Sequence, residues 1–248
     1  LPKKVFKDGN FSIITSRGCP YQCVFCSSRK FWESRIRYRS IKNIIEEIDY
    51  LVKNYAVKSI DFLDDAFCVN KKRIVAFCKE LIKKKYKFKW SCNARVDNVT
   101  LSLLKKMQKA GCDEILYGVE SGSQKILNAI KKGIKIEQVK KAVKMAKKAG
   151  LKVTISIIIG LPFESKKTIQ ETKDLLKKLN GKNVAVMVNP LVPLIGTEVY
   201  DNPEKFGIKI KTRKWTNYIQ FLVETKKLTT EDLKNAFFEI NEALMLDE

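Results

Sequence analysis

Residues 16–26 read Ser16-Arg17-Gly18-Cys19-Pro20-Tyr21-Gln22-Cys23-Val24-Phe25-Cys26, and they follow an apolar run at 11–16. Three cysteines at C-x3-C-x2-C fall within eight residues. A loop that tight wraps three thiolates around one small inorganic centre, and iron–sulfur clusters take thiolate ligands. Three ligands on a four-iron cube leave one iron open to bind a further molecule. A zinc site wants four ligands or a histidine. No fourth cysteine lies in the loop and the chain has no histidine. Structural zinc completed by a distant cysteine stays as an alternative, and so does an electron-transfer cluster.

Outward from the loop, short apolar strands alternate with amphipathic helices. Strands are expected at 11–16, 58–63, 87–92, 114–119, 152–159 and 183–188. The helices lie between them. In 40–53, Ile41, Ile44, Ile45, Ile48, Leu51 and Val52 recur at helical spacing. The same holds for 70–85 and 137–149, and 230–246 reads as a last helix. Asn70 and Ser165 are expected N-caps, and Gly111 and Gly150 follow helix ends. Such repeats build a parallel sheet. No Gly-x-Gly-x-x-Gly follows the first strand, which weakens a dinucleotide fold. The expectation is an α/β fold, a partial (β/α)6 TIM-like barrel over residues 1–190, with a C-terminal extension over 191–248. On the third strand Phe88, Trp90 and Cys92 share one face, and on the fifth Thr154 and Ser156 oppose Val153, Ile155 and Ile157. The apolar faces should meet the helices and the small polar faces should line the interior.

The formal net charge is +22, with 41 lysines against 8 arginines. Nucleic acid or a membrane surface is one reading. Lysines on solvent faces of helices are the other, and the shortage of arginine favours it. The longest apolar run, Ile155 to Pro162, is too short to span a bilayer. A cytoplasmic protein without a membrane partner is the expectation. Seven cysteines and no histidine exclude an imidazole base and oppose a disulfide framework. Cys78 and Cys92 read as core, Cys112 lies away from the loop, and Cys68 reads as core although it follows Asp64-Asp65 closely. Trp215 and Tyr218 read as packing residues near the barrel mouth.

With its aromatic Phe25 just before the last cysteine, the motif resembles that of the radical S-adenosylmethionine (SAM) superfamily. The resemblance implies a 4Fe–4S cluster on Cys19, Cys23 and Cys26 that cleaves SAM to a 5′-deoxyadenosyl radical. It implies that Asp64 and Asp65 meet the SAM amino group, Arg95 its carboxylate, and Glu120, beside Ser121, the ribose hydroxyls. Gly160, Leu161 and the backbone of Phe25 would meet the adenine. The stretches Gly118 to Gly122, Ile159 to Pro162 and Pro193-Leu194-Ile195-Gly196-Thr197 are similar to the branch of cobalamin-dependent enzymes and methylthiotransferases. That likeness implies radical attack on a substrate C–H bond, with methyl transfer where cobalamin takes part. Only 18 residues precede Cys19 and the chain begins at Leu1, so a fragment is expected and cobalamin would come from a domain outside it. A reductant such as ferredoxin or flavodoxin is implied, and a tRNA methylthiotransferase is the rival enzyme.

Overall fold

The computed structural model describes residues 8–214 and 219–245; Trp215 and Tyr218 lie outside the described residues. The apolar stripes become helix faces. Helix α1 (Ile41–Asn54) buries Ile44, Ile45, Ile48 and Leu51, and Ser40 caps it by accepting from the Asn43 amide. Helix α2 (Lys71–Lys84) is capped by Asn70 in the same way. Helices α3 (Leu101–Lys109), α4 (Gln124–Ala129) and α5 (Ile136–Lys148) follow. Helix α6 (Lys166–Leu179) starts at Ser165, whose hydroxyl accepts from the Thr168 amide. Gly111 and Gly150 sit just past α3 and α5 with φ of +96° and +81°, the left-handed geometry that ends a helix cheaply only for glycine. Helix α7 (Thr230–Met245) closes the described chain.

Six strands form the main sheet: β1 (Asn10–Ile13), β2 (Ser59–Phe62), β3 (Lys89–Ala94), β4 (Cys112–Glu120), β5 (Lys152–Ile159) and β6 (Val184–Pro190). They pair in sequence order and every pair is parallel. No pairing joins β6 back to β1 among the described residues, so the sheet is an open, partial barrel. Phe62 and Trp90 on one face pack their rings on Phe77 of α2, with centroids 5.3 and 6.4 Å away, as aromatic clusters prefer. Thr154 on the other face donates to Glu114 across the strand pair at 2.5 Å. The polar face therefore lines the interior. The remaining cysteines, Cys68, Cys78, Cys92 and Cys112, are buried and free; Cys68 belongs to the core.

The first strand is shorter than its apolar run. It ends at Ile13, and the next residues are captured by Asp64 at the end of β2. That buried carboxylate accepts from the Thr15 amide at 2.6 Å, the Thr15 hydroxyl at 2.6 Å and the Ser16 hydroxyl at 2.5 Å. Ser16–Arg17 then pairs antiparallel with Arg37–Tyr38 as a separate short hairpin, and the cysteine loop hangs between its two arms. The third strand begins two residues later than expected, at Lys89; the Trp90 indole near its start donates to the Ala110 carbonyl at 2.8 Å.

Removing the Asp64 carboxylate strands three donors. Asp64→Ala should cost at least about 3 kcal/mol in urea unfolding, whereas Asp61→Ala, at an exposed position, should cost no more than about 1 kcal/mol. Equal midpoints for the two variants would refute the anchor.

Candidate active site

The loops that follow the six strands gather at one end of the sheet, where β/α barrels place their chemistry. Cys19, Cys23 and Cys26 are free and half-buried in the first of them. Burial pushes all three thiols up from their ordinary value. Cys19 is raised further by Cys26, Cys23 and Asp65, and Cys26 by Cys23 and Asp65. Around Cys23 the cations of Lys132 and Arg95 act in the opposite sense. Thiols that burial holds protonated become ligands when a cationic centre displaces their protons. Among the described residues, no three His, Cys, Asp or Glu side chains close around the volume of a single ion.

Two backbone bonds at Val24 and two ion pairs at Glu198 tie the loop region to its surroundings. The Val24 amide donates to the Ile130 carbonyl at 3.1 Å, and the Val24 carbonyl accepts from the Val199 amide at 3.2 Å. Glu198 pairs with Arg29 at 2.6 Å and with Lys131 at 2.9 Å. A cavity of about 540 Å³ opens beside the loop, lined in part by Cys23, Cys26, Arg29, Thr197 and Glu198.

The two acids of β2's end have different surroundings. Asp64 is buried and spent on Thr15 and Ser16, which corrects the expectation that both meet a ligand. Asp65 is exposed, and one oxygen accepts from the Gly18 amide at 3.2 Å and the Ser28 hydroxyl at 3.0 Å. Its charge is felt at Cys19 and Cys26.

Arg95 follows β3. It is 7% exposed, lies 3.5 Å over the Tyr21 ring and binds both oxygens of Asp97, at 3.1 and 2.9 Å. Its Nη1 is buried without a hydrogen-bond partner. An orphaned guanidinium donor beside Cys23 awaits an anionic acceptor.

Glu120 ends β4 with a φ of +72°, in the left-handed region that a glutamate enters only at a cost of about 1–3 kcal/mol. The pairing of β4 with β5 shifts register between Gly118 and Glu120. The side chain folds back over Gly118, where an added Cβ would stand 2.7 Å from the Glu120 Oε1. Lys132 holds that oxygen at 2.7 Å, and both groups are buried. Lys132 had no apolar pattern to mark it in the sequence. Ser121 is turned to local structure: its hydroxyl accepts from the Ser123 amide at 3.1 Å and lies 3.4 Å from the Thr172 hydroxyl.

After β5, Gly160 has a φ of +91° and its amide donates to Glu164 at 2.6 Å. A Cβ at Gly160 would press on Val223 and Leu233 of the C-terminal segment. The Gly160 amide is therefore committed to the protein. Phe25 is half-buried against the core. Glu164 escaped sequence reasoning, although an acid four residues after the glycine of a Gly-Leu-Pro turn was a usable signal.

The sequence profile of the radical SAM superfamily matches residues 13–176. The chain belongs to the radical SAM superfamily. It is 34% identical over 223 residues to an uncharacterized methyltransferase of Pyrococcus horikoshii, covering 89% of this chain and 48% of that protein. It is 34% identical over 167 residues to the anaerobic magnesium-protoporphyrin IX monomethyl ester cyclase of Rubrivivax gelatinosus, covering 66% and 30%. The chain thus spans less than half the length of these curated relatives. The structure of the radical SAM methyltransferase TsrM from Kitasatospora setae, with cobalamin and a 4Fe–4S cluster bound, superposes with a TM-score of 0.72 at 16% identity, over 84% of this chain and 40% of that one. The cobalamin-dependent SAM radical enzyme OxsB superposes at 0.61 and 26% identity, over 79% and 30%. The family uses a 4Fe–4S cluster and SAM, and its enzymes need a substrate and an electron donor. No helix among the described residues is long and apolar enough to cross a membrane.

Burial pushes the Glu164 carboxyl up to about 8 from 4.5, against the pull of the Gly160 and Leu161 amides. The folded chain thus favours the neutral form. Its contribution is full below the unfolded value and is lost as pH rises through about 8. The metal-free chain should lose on the order of 3 kcal/mol of stability between about pH 5 and pH 8 from this group, and Glu164→Gln should flatten that slope. Parallel pH profiles for the two chains in urea unfolding would contradict it.

Proposed function

We propose that this chain is the catalytic core of a radical SAM enzyme that attacks a substrate C–H bond, with methyl transfer as the overall outcome. The observation that carries the reading is three coupled, half-buried thiols on one anchored loop, next to a buried guanidinium with an unpartnered donor. Cys19, Cys23 and Cys26 would hold the 4Fe–4S cluster. When bound, the cluster supplies the electron that cleaves SAM to methionine and a 5′-deoxyadenosyl radical.

The chain's own residues bind and orient. The free Nη1 of Arg95 suits the SAM carboxylate, with Tyr21 and Asp97 fixing the guanidinium plane. Asp65 has the charge and exposure to take the ammonium. Glu120, set by its backbone and by Lys132, suits the ribose hydroxyls. The backbone of Phe25, within the cysteine loop, would meet the adenine, and Gly160 and Leu161 give the turn after β5 its shape. Ser121 supports the turn after β4 by accepting from the Ser123 amide. The named methyltransferases among the relatives support methyl transfer, with cobalamin supplied from outside this chain. The absence of histidine fits a first step that needs no general base.

Anaerobic chain, reconstituted with iron and sulfide and given SAM and a strong reductant, should release 5′-deoxyadenosine. Cys23→Ala should release none. Equal release from the two chains, or none from the wild-type chain with its cluster assembled, would sink the reading. Arg95→Gln should weaken SAM binding by about 10- to 100-fold while the cluster still assembles; unchanged binding in equilibrium titration would remove Arg95 from the site.

A further inference from the structure

The six strands of the main sheet all run in one direction. They therefore start at the end of the barrel away from the cysteine loop, and α1, α2, α3, α5 and α6 end there. Five connections cross that end: residues 51–59, 81–89, 106–112, 145–152 and 176–184, each taken from the last turn of a helix to the first residue of the next strand. They carry fifteen lysines and no arginine, aspartate or glutamate. The connections at the opposite end hold Asp64, Asp65, Asp97, Glu120 and Glu164. The net charge of +22 is thus unevenly placed.

All fifteen lysines are exposed. Asp49 answers Lys84 at 2.5 Å, and Asp113 answers Lys89 at 2.6 Å and Lys152 at 3.1 Å. Asp8 stands ahead of β1 at the same end. The other twelve lysines have no ion pair among the described residues. A cation in the last turn of a helix is favoured by the negative end of the helix dipole, which accounts for the lysines inside the helices. The dipole's reach falls off within that turn. It does not account for Lys58, Lys87, Lys89, Lys152 and Lys182, which lie three or more residues past a helix end.

The same end offers more than charge. A cleft of about 460 Å³ opens between α5 and α6, and its charged lining is Lys140, Lys144, Lys147 and Lys178, with no acid. An added Cβ at Gly181, in the connection after α6, would stand 3.4 Å from the Lys147 ammonium, so the two connections adjoin. The cleft between α1 and α2 is balanced instead, with Lys42 and Lys84 set against Glu46, Asp49 and Glu80. Near the ends of those two helices, Tyr50, Val52 and Ile82 are exposed. Apolar side chains among lysines are the composition of a surface that meets lipid headgroups.

We infer that this lysine end of the barrel docks on an anionic lipid surface, with Tyr50, Val52 and Ile82 beside the lysines at the headgroup layer. Lysine acts on headgroups as a compact point charge and needs no fixed geometry. Nucleic acid is the rival polyanion, but its sites combine arginine with stacking aromatics, and no arginine stands in these connections. An RNA held here would also lie at the far end from the cysteines, whereas a membrane at this end leaves the barrel mouth open. Attachment of this kind needs no spanning helix. It stands independently of the radical SAM chemistry.

The test is flotation of the reconstituted chain with vesicles of phosphatidylcholine alone and of phosphatidylcholine mixed with phosphatidylglycerol. The wild-type chain should bind the mixed vesicles, not phosphatidylcholine alone, and more weakly as salt rises. One variant combines Lys85→Glu, Lys87→Glu, Lys147→Glu and Lys182→Glu. A control of equal net charge combines Lys71→Glu, Lys72→Glu, Lys125→Glu and Lys167→Glu at the helix starts of the opposite end. Urea midpoints and iron content check that both fold. Affinity for the mixed vesicles should fall at least about tenfold in the first variant and less than about threefold in the control. Glutamine at the first four positions should give a smaller loss in the same direction. Equal losses in the first variant and the control would reduce the binding to net charge and overturn the surface. So does wild-type binding no tighter to mixed vesicles than to phosphatidylcholine. Bulk tRNA that binds the wild-type chain and is lost in the first variant alone, with no vesicle binding, also overturns it and assigns this end to nucleic acid.

Discussion

The Asp64 carboxylate organises the catalytic end of this molecule. It is buried, and it binds an amide and two hydroxyls of Thr15 and Ser16. Arg73 reinforces the same corner by donating to the Thr15 carbonyl at 3.1 Å and the Arg39 carbonyl at 3.1 Å. Through this knot the chain leaving β1 is turned into the hairpin that frames the cysteines. Without it the loop would have no fixed relation to the ends of β2, β3 and β4, and Asp65, Arg95 and Glu120 could not face the same space. A buried hydrogen-bond network of this kind is costly to break from one side, because each remaining donor is stranded in a dry setting.

The site itself is a balance of charge on a barrel end. Burial raises the proton affinity of all three thiols, Cys26 and Cys23 add to it at Cys19 and Cys23 adds to it at Cys26, while Lys132 and Arg95 act in the opposite sense on Cys23. Glu120 is forced into a left-handed backbone and held there by Lys132. Gly118 is bare so that this carboxylate has room. The strain at Glu120 sits where a ligand would bind, a setting in which strain is often retained.

Periodicity made the barrel legible. Ile44, Ile48 and Leu51 at helical spacing, and the alternation of Val153, Ile155 and Ile157, follow from burial alone and need no knowledge of neighbours. The cysteine loop was legible because three thiols so close together have few structural uses. Long-range polar pairing was not legible. Asp64 and Asp65 are adjacent and identical in type, yet one is sealed against Thr15 and the other is open, and only the register of β1 on β2 decides which. Lys132 and Glu164 were missed for the same reason: their partners, Glu120 and the Gly160 amide, are set by turn geometry that composition does not encode. The lysine end of the barrel became visible only once the parallel sheet brought its five connections to one side.

The central claim is that Cys19, Cys23 and Cys26 alone hold a four-iron cluster with one iron open to SAM. Electron paramagnetic resonance of the reduced, reconstituted chain before and after SAM addition tests it directly. The account predicts a 4Fe–4S signal that changes when SAM is added, survives replacement of Cys68, Cys78, Cys92 or Cys112 by alanine, and is lost or reduced to a degraded cluster in Cys19→Ala, Cys23→Ala and Cys26→Ala. A signal indifferent to SAM, or one that requires a cysteine from the buried set, would contradict it.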